Sequence, residues 1–414
     1  MSAPASARQF RFDYAPGELR CGRGCVANLD EVLARRDLDS ALVVTGTNVG
    51  SNARVMDPVE AGLGDRLAGV FAETSPQKYL KTGLDAARRL RDEGIEALVA
   101  VGSGSSLDTA KVVSALCSHP GLDTAAERAL ETGTVPVADD GDAVPIVAVP
   151  TTLAGADLSV VAGVNLTLTP GARPDHEVPS GSLSDRRLMP TALCYDLSLF
   201  ETTPKSVLCS SAMNGFDKAV ECLYSPSNTP VTDATAMRAL TLMQSGFETL
   251  PSEGMDDEGM DDERLYEAVS GVVLAQYGLS TPDAYRASII HAFGHGFSHD
   301  YDVHQGTVHG ILAPHVLGLV FDHAHGRRDL LARGLGLDAA GATDDELAAG
   351  VIDAVAAVRD DLGLPTRLRE VDGLARTDFE SIAAVIHDDG FMSLTPTGVD
   401  PSPDDIVEVL EAAW

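Results

Sequence analysis

The chain has 414 residues, 44% of them hydrophobic, enough to bury large cores and, at ordinary domain size, to form about two domains. Its 62 acidic against 30 basic residues give a formal charge of −32, which argues against nucleic acid and anionic membranes as partners. No apolar run reaches the roughly 20 residues needed to span a bilayer, and the opening MSAPASARQFRFDYAPG lacks the basic-then-apolar order of a secretion signal, so the expected location is the cytoplasm.

Five lysines, Lys78, Lys81, Lys111, Lys205 and Lys218, are retained, arginine supplying the other basic residues. Acidity with so little lysine predicts a halophilic surface, and it marks each retained lysine as a candidate for a specific task. The six cysteines, without paired metal spacing, read as reduced, mostly structural thiols.

In chain order, Gln9–Tyr14 and Glu18–Cys21 are short extended pieces. Ala41-Leu-Val-Val-Thr45 is an apolar β-branched run that opens into Gly46-Thr-Asn-Val-Gly50, the pattern of a buried parallel strand and its loop. Helix-like stretches follow over Val59–Phe71 and Gln77–Arg91. Ala97–Val101 is a second buried strand, running into Gly102-Ser-Gly-Ser-Ser106 and a helix over Leu107–Leu116, and Ala143–Pro150 is a third, ending in Thr151-Thr152. Strands alternating with helices predict a doubly wound parallel-sheet α/β domain over residues 1–188, with ligands at the carboxyl ends of its strands.

From about Pro190 the texture changes to long amphipathic stretches: Val207–Leu223, Asp233–Phe247, Glu267–Gln276, Leu347–Leu362 and Asp404–Ala413. Residues 189–414 are therefore expected to form an all-helical domain. The tandem Gly254–Glu258 and Gly259–Glu263 repeat reads as a solvated acidic insertion. Within this half, Ile289–His315 holds six of the eleven histidines. His291 and His295, four apart in an apolar run, share a helix face. Gly306 and Gly310 are expected to bracket a turn carrying His309, with His304 before it and Pro314 closing the segment. Such imidazoles fit a divalent metal site or a proton relay, whereas His299, His323 and His325 read as surface or packing residues.

Gly102-Ser-Gly-Ser-Ser-Leu-Asp-Thr-Ala-Lys111 lies between a strand and a helix, where glycines let the backbone approach an anion and the helix N–H groups stabilise it. The spacing matches neither the Walker pattern nor the glycine fingerprint of Rossmann dehydrogenases. With Val149-Pro-Thr-Thr152 after it, however, the stretch resembles the iron-containing (group III) alcohol dehydrogenase family, whose pattern reads GGGSxxDxAK and then PTT. The resemblance continues through Asp196-Leu-Ser-Leu with Thr202 and Pro204, Met213–Ser225, the histidine stretch and Leu362-Gly-Leu-Pro365, so it covers nearly the whole chain. It implies a dinucleotide-binding domain followed by a helical metal-binding one, the dehydroquinate synthase-like architecture. Thr152–Asp157, Ser225-Pro-Ser-Asn-Thr-Pro230 and His309 are most similar to the maleylacetate reductase branch.

For the cofactor, the resemblance implies NADP(H) or NAD(H) across Gly102, Ser103, Gly104 and Ser105, with Asp108, Thr151 and Thr152 near the diphosphate and ribose. Gly46 stands where NAD-preferring members carry an aspartate. Thr47, Asn48, Ser51, Asn52 and Arg54 follow it, a set that tolerates a 2′-phosphate and favours NADP(H).

The metal positions depart from the family. In Ala212–Glu221 the Asp of its GMDxxxHAxE pattern is Asn214 and the first His is Lys218; the third ligand maps onto His291 and the fourth onto Gln305. An ammonium repels a divalent cation, so bound iron or zinc is not expected. Lys218 is expected to stand in the metal's place and, with Asn214, to bind the substrate oxygen, while His291 orients it and His295 relays the proton.

The expected activity is hydride transfer between nicotinamide and a carbonyl, alcohol or enone carbon of a small substrate, carboxylated if Lys218 and Arg286 supply local positive charge. Three alternatives stay open: a metal-dependent dehydrogenase on a shifted His291, His295, His304 and His309 site, a dehydroquinate synthase-type lyase that keeps NAD bound, and a nucleotide-binding chain without chemistry. A homo-oligomer is compatible with all of them.

Overall fold

The computed structural model describes residues 10–174, 177–250, 261–297 and 301–414. The first half interleaves strands β1 (Glu18–Cys21), β2 (Ala41–Gly46), β3 (Leu67–Thr74), β4 (Ala97–Gly102) and β5 (Ile146–Pro150) with helices α1 (Leu29–Ala34), α2 (Thr47–Gly50), α3 (Ala53–Leu63), α4 (Leu80–Asp92), α5 (Gly104–Cys117) and α6 (Leu122–Thr132). A hairpin, β6 (Val161–Asn165) and β7 (Ser180–Ser184), precedes β8 (Ala192–Tyr195). One six-stranded parallel sheet results, in the order β1-β8-β5-β4-β2-β3.

Every residue of β4 and β5 is buried, as continuous apolar runs require when helices cover both faces of a sheet. Alternate side chains divide between two cores. Val43, Val99 and Val147 pack with α1 and α3 on one face; Leu42, Leu98 and Ala148 pack with α4 and α5 on the other. That second core continues without a break into the helical half, so the two domains share one apolar seam.

The second half comprises α7 (Leu197–Phe200), α8 (Lys205–Tyr224), α9 (Pro230–Phe247), α10 (Asp262–Gln276), α11 (Ile289–His295), α12 (Gln305–His323), α13 (Arg328–Gly334), α14 (Asp344–Asp361), α15 (Phe379–His387) and α16 (Pro403–Ala412), with a two-residue hairpin at Ser280–Thr281 and Ala284–Tyr285. The amphipathic stretches read from the sequence all fall on these helices. Capping boxes start α9 at Thr229, α14 at Thr343 and α16 at Ser402.

Three readings change. The expected helix Val59–Phe71 is the end of α3, a turn at Gly64 (φ 53°) and strand β3. As a sheet edge, β3 buries residues irregularly and lacks the continuous apolar run of a central strand. The expected turn between Gly306 and Gly310 is helix, and Pro314 lies inside it, because α12 is embedded in the core and packing overrides propensity. Finally, β8 follows position 188 and is hydrogen-bonded into the sheet beside β1 and β5. The acidic repeat falls largely, and His299 wholly, outside the described residues. No helix among the described residues is long and apolar enough to cross a membrane.

Candidate active site

Strands β2, β4 and β5 end together at the carboxyl edge of the sheet, with Thr45 opposite Val101 and Gly102 opposite Pro150. The chain leaves β2 for β3 on one side and leaves β4 for β5 on the other, so the crevice between Gly46 and Gly102 is the sheet's topological switch point, where ligands bind in open α/β sheets. Gly102 takes φ 126°, a conformation that favours glycine, and its carbonyl accepts from Thr151 N at 3.0 Å, linking the first loop to the second. Ser103 occupies the N-cap of α5 without a side-chain cap bond, so the first-turn N–H groups above Gly104 and Ser105 stay available to an anion. Ser103 and Ser105 hydroxyls pair at 3.0 Å. Asn48 is exposed beside this edge, and Thr151 and Thr152 are buried in it. Asp108 is less free than expected: it accepts from Lys78 Nζ at 2.9 Å and from Gly163 N at 3.3 Å.

The opposite wall comes from α8, α11 and α12. Asn214, Lys218 and Glu221 are placed along one face of α8 by their helical spacing. Lys218 Nζ donates to Ala154 O at 2.7 Å and Gly155 O at 2.5 Å, in the loop after β5. Burial brings its ammonium down to about 8, opposed by the charges of Asp157 and Asp108. Asn214 Nδ2 donates to Gln305 Oε1 at 3.2 Å, leaving the buried Gln305 Nε2 without a partner. Glu221 Oε1 accepts from Ile290 N at 2.7 Å, and its Oε2 pairs with His291 Nδ1 at 2.5 Å, which leaves His291 Nε2 buried and unpartnered. Burial lowers the His291 pKa, with Glu221 pulling the other way.

Behind His291 lies a second pair that the sequence did not reveal. His309 packs edge-on to His291, ring centroids 4.7 Å apart, with its Nδ1 3.2 Å from Asp217 Oδ2. That contact is within ion-pair reach but lacks hydrogen-bond geometry, since neither group has a hydrogen-bond partner. Burial pushes Asp217 well above the carboxylate range and His309 well below the imidazole range, disfavouring the charged form of each. His295 faces another way: its Nδ1 is 2.8 Å from Asp389 Oδ2 and its ring lies against Phe391.

Asn214, Lys218, His291 and Gln305 thus line one wall, and His295 flanks it. His304 is exposed at the start of α12. Gln305 as a free donor, Asp217, Asp389 and Phe391 were missed. Glu221 could have been found, because it shares the spacing of Asn214 and Lys218.

This fold joins a parallel-sheet half, of the kind that binds ligands at its carboxyl edge, to a helical half whose α8 reaches the loop after β5 through Lys218. The family model for iron-containing alcohol dehydrogenases matches residues 16–194, and that for the C-terminal part of the Fe-containing alcohol dehydrogenase family matches residues 208–414. The chain belongs to the iron-containing alcohol dehydrogenase family. It is 26% identical over 398 residues to lactaldehyde reductase of Escherichia coli (strain K12), covering 95% of this chain and 97% of that protein. It is 24% identical over 409 residues to maleylacetate reductase 1 of Rhodococcus opacus, covering 98% and 96%. Sulfoacetaldehyde reductase from Bifidobacterium kashiwanohense, solved in complex with NAD+, superimposes with a TM-score of 0.80 at 20% identity over 98% and 99% of the two chains. The chain is an NAD(P)-dependent oxidoreductase of the alcohol dehydrogenase and reductase type.

The family's name implies iron, and the residues here do not fit it. The positions offer one imidazole, two neutral amides and an ammonium whose protons are directed at backbone carbonyls. The histidines of a shifted site are not brought together as one: His295 turns to Asp389, His304 is exposed at the start of α12, and among the described residues no three His, Cys, Asp or Glu side chains are grouped to hold a metal ion.

Proposed function

We propose that this chain is a metal-independent, NAD(P)-dependent reductase and alcohol dehydrogenase that moves a hydride between nicotinamide C4 and the carbonyl, alcohol or enone carbon of a small molecule. The observation that carries this reading is a pair of buried, unpartnered polar atoms, His291 Nε2 and Gln305 Nε2, on the wall where Lys218 replaces a metal ligand. Bound nicotinamide supplies or accepts the hydride.

Lys218 spends two N–H groups on Ala154 and Gly155 and keeps a third for the substrate oxygen, where its charge stabilises the developing alkoxide. Gln305 Nε2 adds the neutral donor, and Asn214 holds Gln305 in place rather than reaching the substrate itself. His291, its Nδ1–H donated to Glu221, presents Nε2 as an acceptor that orients the O–H of the alcohol form. His295, with 37% of its side chain exposed and Asp389 behind it, relays the proton to solvent. Three aligned strand ends and the open first turn of α5 support the dinucleotide, as does the solved relative in complex with NAD+. Gly46 in place of an acidic side chain, with exposed Asn48 and Arg54 after it, supports NADP(H) over NAD(H).

Oxidation of NADPH by small aldehydes and ketones, followed at high salt before and after chelation, tests this. Chelated enzyme is expected to retain its rate. Lys218→Met is expected to lose at least about a hundred-fold in kcat while its NADPH affinity, read by fluorescence titration, is preserved. A rate abolished by chelation and restored by iron or zinc, or a Lys218→Met enzyme at full speed, overturns the proposal.

A further inference from the structure

The residues beside His291 and His295 carry information about the rest of the substrate. Phe391 lies on the tight turn Gly390–Leu394, its ring centroid 5.4 Å from Tyr285 at an interplanar angle of 30°, 5.1 Å from His295 and 6.1 Å from His291. Asp389 fixes this turn from both sides, accepting from Phe391 N through Oδ1 at 2.8 Å and meeting His295 Nδ1 through Oδ2 at 2.8 Å. The ring is therefore set by the same carboxylate that sets the proposed proton relay. Tyr285 belongs to the seam: burial raises its phenol, reinforced by the charges of Glu221 from the helical half and Asp108 from the sheet half. Neither ring is fully buried.

The cations of this region donate chiefly to backbone carbonyls. Arg286 gives Nε to Ser227 O at 2.9 Å and Nη1 to Gly278 O at 2.7 Å. Lys111 gives its ammonium to Ala156 O and Val161 O, Lys78 is paired with Asp108, and Lys218 keeps one N–H for the reacting oxygen. A substrate carboxylate seated on these rings would lose water beside Glu221 and Asp389, whereas an apolar ring loses nothing and gains stacked and edge-on contacts.

We infer that the non-reacting part of the substrate is an uncharged aromatic or planar apolar group seated on Phe391 and Tyr285, which makes Phe391 a specificity-determining residue and favours such substrates over the carboxylated ones that Lys218 and Arg286 first implied. This rests on the proposed placement of the reacting oxygen between Lys218 and His291.

The test pairs turnover with binding. With NADPH, wild-type enzyme is expected to show kcat/KM for benzaldehyde at least about ten-fold above that for succinic semialdehyde. Phe391→Ala is expected to lower the benzaldehyde to propanal ratio of kcat/KM about ten-fold, chiefly through KM, with Phe391→Leu in between. Preference for succinic semialdehyde, or equal losses on benzaldehyde and propanal, overturns the inference. Calorimetric titration of the NADP+-loaded enzyme with benzyl alcohol and with 4-hydroxybutyrate decides it independently of turnover. Tighter benzyl alcohol binding that Phe391→Ala weakens supports it; tighter 4-hydroxybutyrate binding, or binding indifferent to Phe391, overturns it. If benzyl alcohol binds as expected and no carbonyl is reduced, the hydride-transfer reading fails and the subsite stands.

Discussion

Two of the five lysines are buried, and both spend their charge on one stretch of backbone. Lys111 Nζ reaches Ala156 O at 2.8 Å and Val161 O at 2.9 Å, and Lys218 holds Ala154 O and Gly155 O, so the loop after Thr151-Thr152 is hung on two ammoniums. The rarity of lysine pointed to these residues, but not to their partners, which for Lys218 lie 63 and 64 positions away. Burial brings both ammoniums from an ordinary 10.5 down to about 8. Between those values the native state binds fewer protons than the unfolded chain, so the lysines' contribution to stability rises with pH across that window. Tyr195 and Cys222, raised by burial, act in the opposite sense, so the useful quantity is a difference. Unfolding free energy of wild type minus that of Lys111→Met, from urea titrations at about pH 7.5 and about pH 10.5, is expected to grow by about 3 kcal/mol. A difference that is flat or falls with pH would show that burial does not lower the Lys111 pKa.

At the scale of elements, the site depends on how closely α12 crosses α8. A Cβ placed on Gly306 would sit 1.8 Å from Ser210 O, and one on Gly215 would sit 2.4 Å from Leu153 O. These glycines serve close approach rather than chain reversal, which is why reading Gly306 and Gly310 as turn residues failed: a glycine's local signal is the same for both uses. Gly306→Ala is expected to cost about 3 kcal/mol or more, seen as a drop in Tm. It should also lower turnover, because Gln305, the adjacent residue, is displaced from Asn214. A variant with unchanged Tm and rate would mean that α8 and α12 are further apart than described. By contrast α8, predicted over Val207–Leu223 and found over Lys205–Tyr224, was legible throughout, since its length and composition leave little but a buried helix.

For the whole molecule, a charge of −32 is the dominant electrostatic fact. Ion pairs such as Arg23 with Glu201 and Arg327 with Asp233 bind some carboxylates, but the acidic excess repels itself through solvent. Salt shortens the reach of that repulsion to roughly 3 Å at about 1 M, so Tm is expected to rise by several degrees between about 0.1 M and about 2 M KCl. A Tm that falls with added salt would count against a surface adapted to it. By itself, the sequence determined the sheet domain, the helical domain, the dinucleotide edge and the family, because buried strands, amphipathic helices and phosphate-binding turns are written in the spacing of neighbouring residues. It also marked Asn214, Lys218 and Gln305 as departures from the family's ligand pattern. Only the tertiary structure decided their partners: Gln305 for Asn214, two backbone carbonyls for Lys218, and Asp389 and Phe391 beside His295. The reason is physical. A polar group's role is set by which of its hydrogen bonds remain unspent, and those are settled by partners as far as 94 residues along the chain.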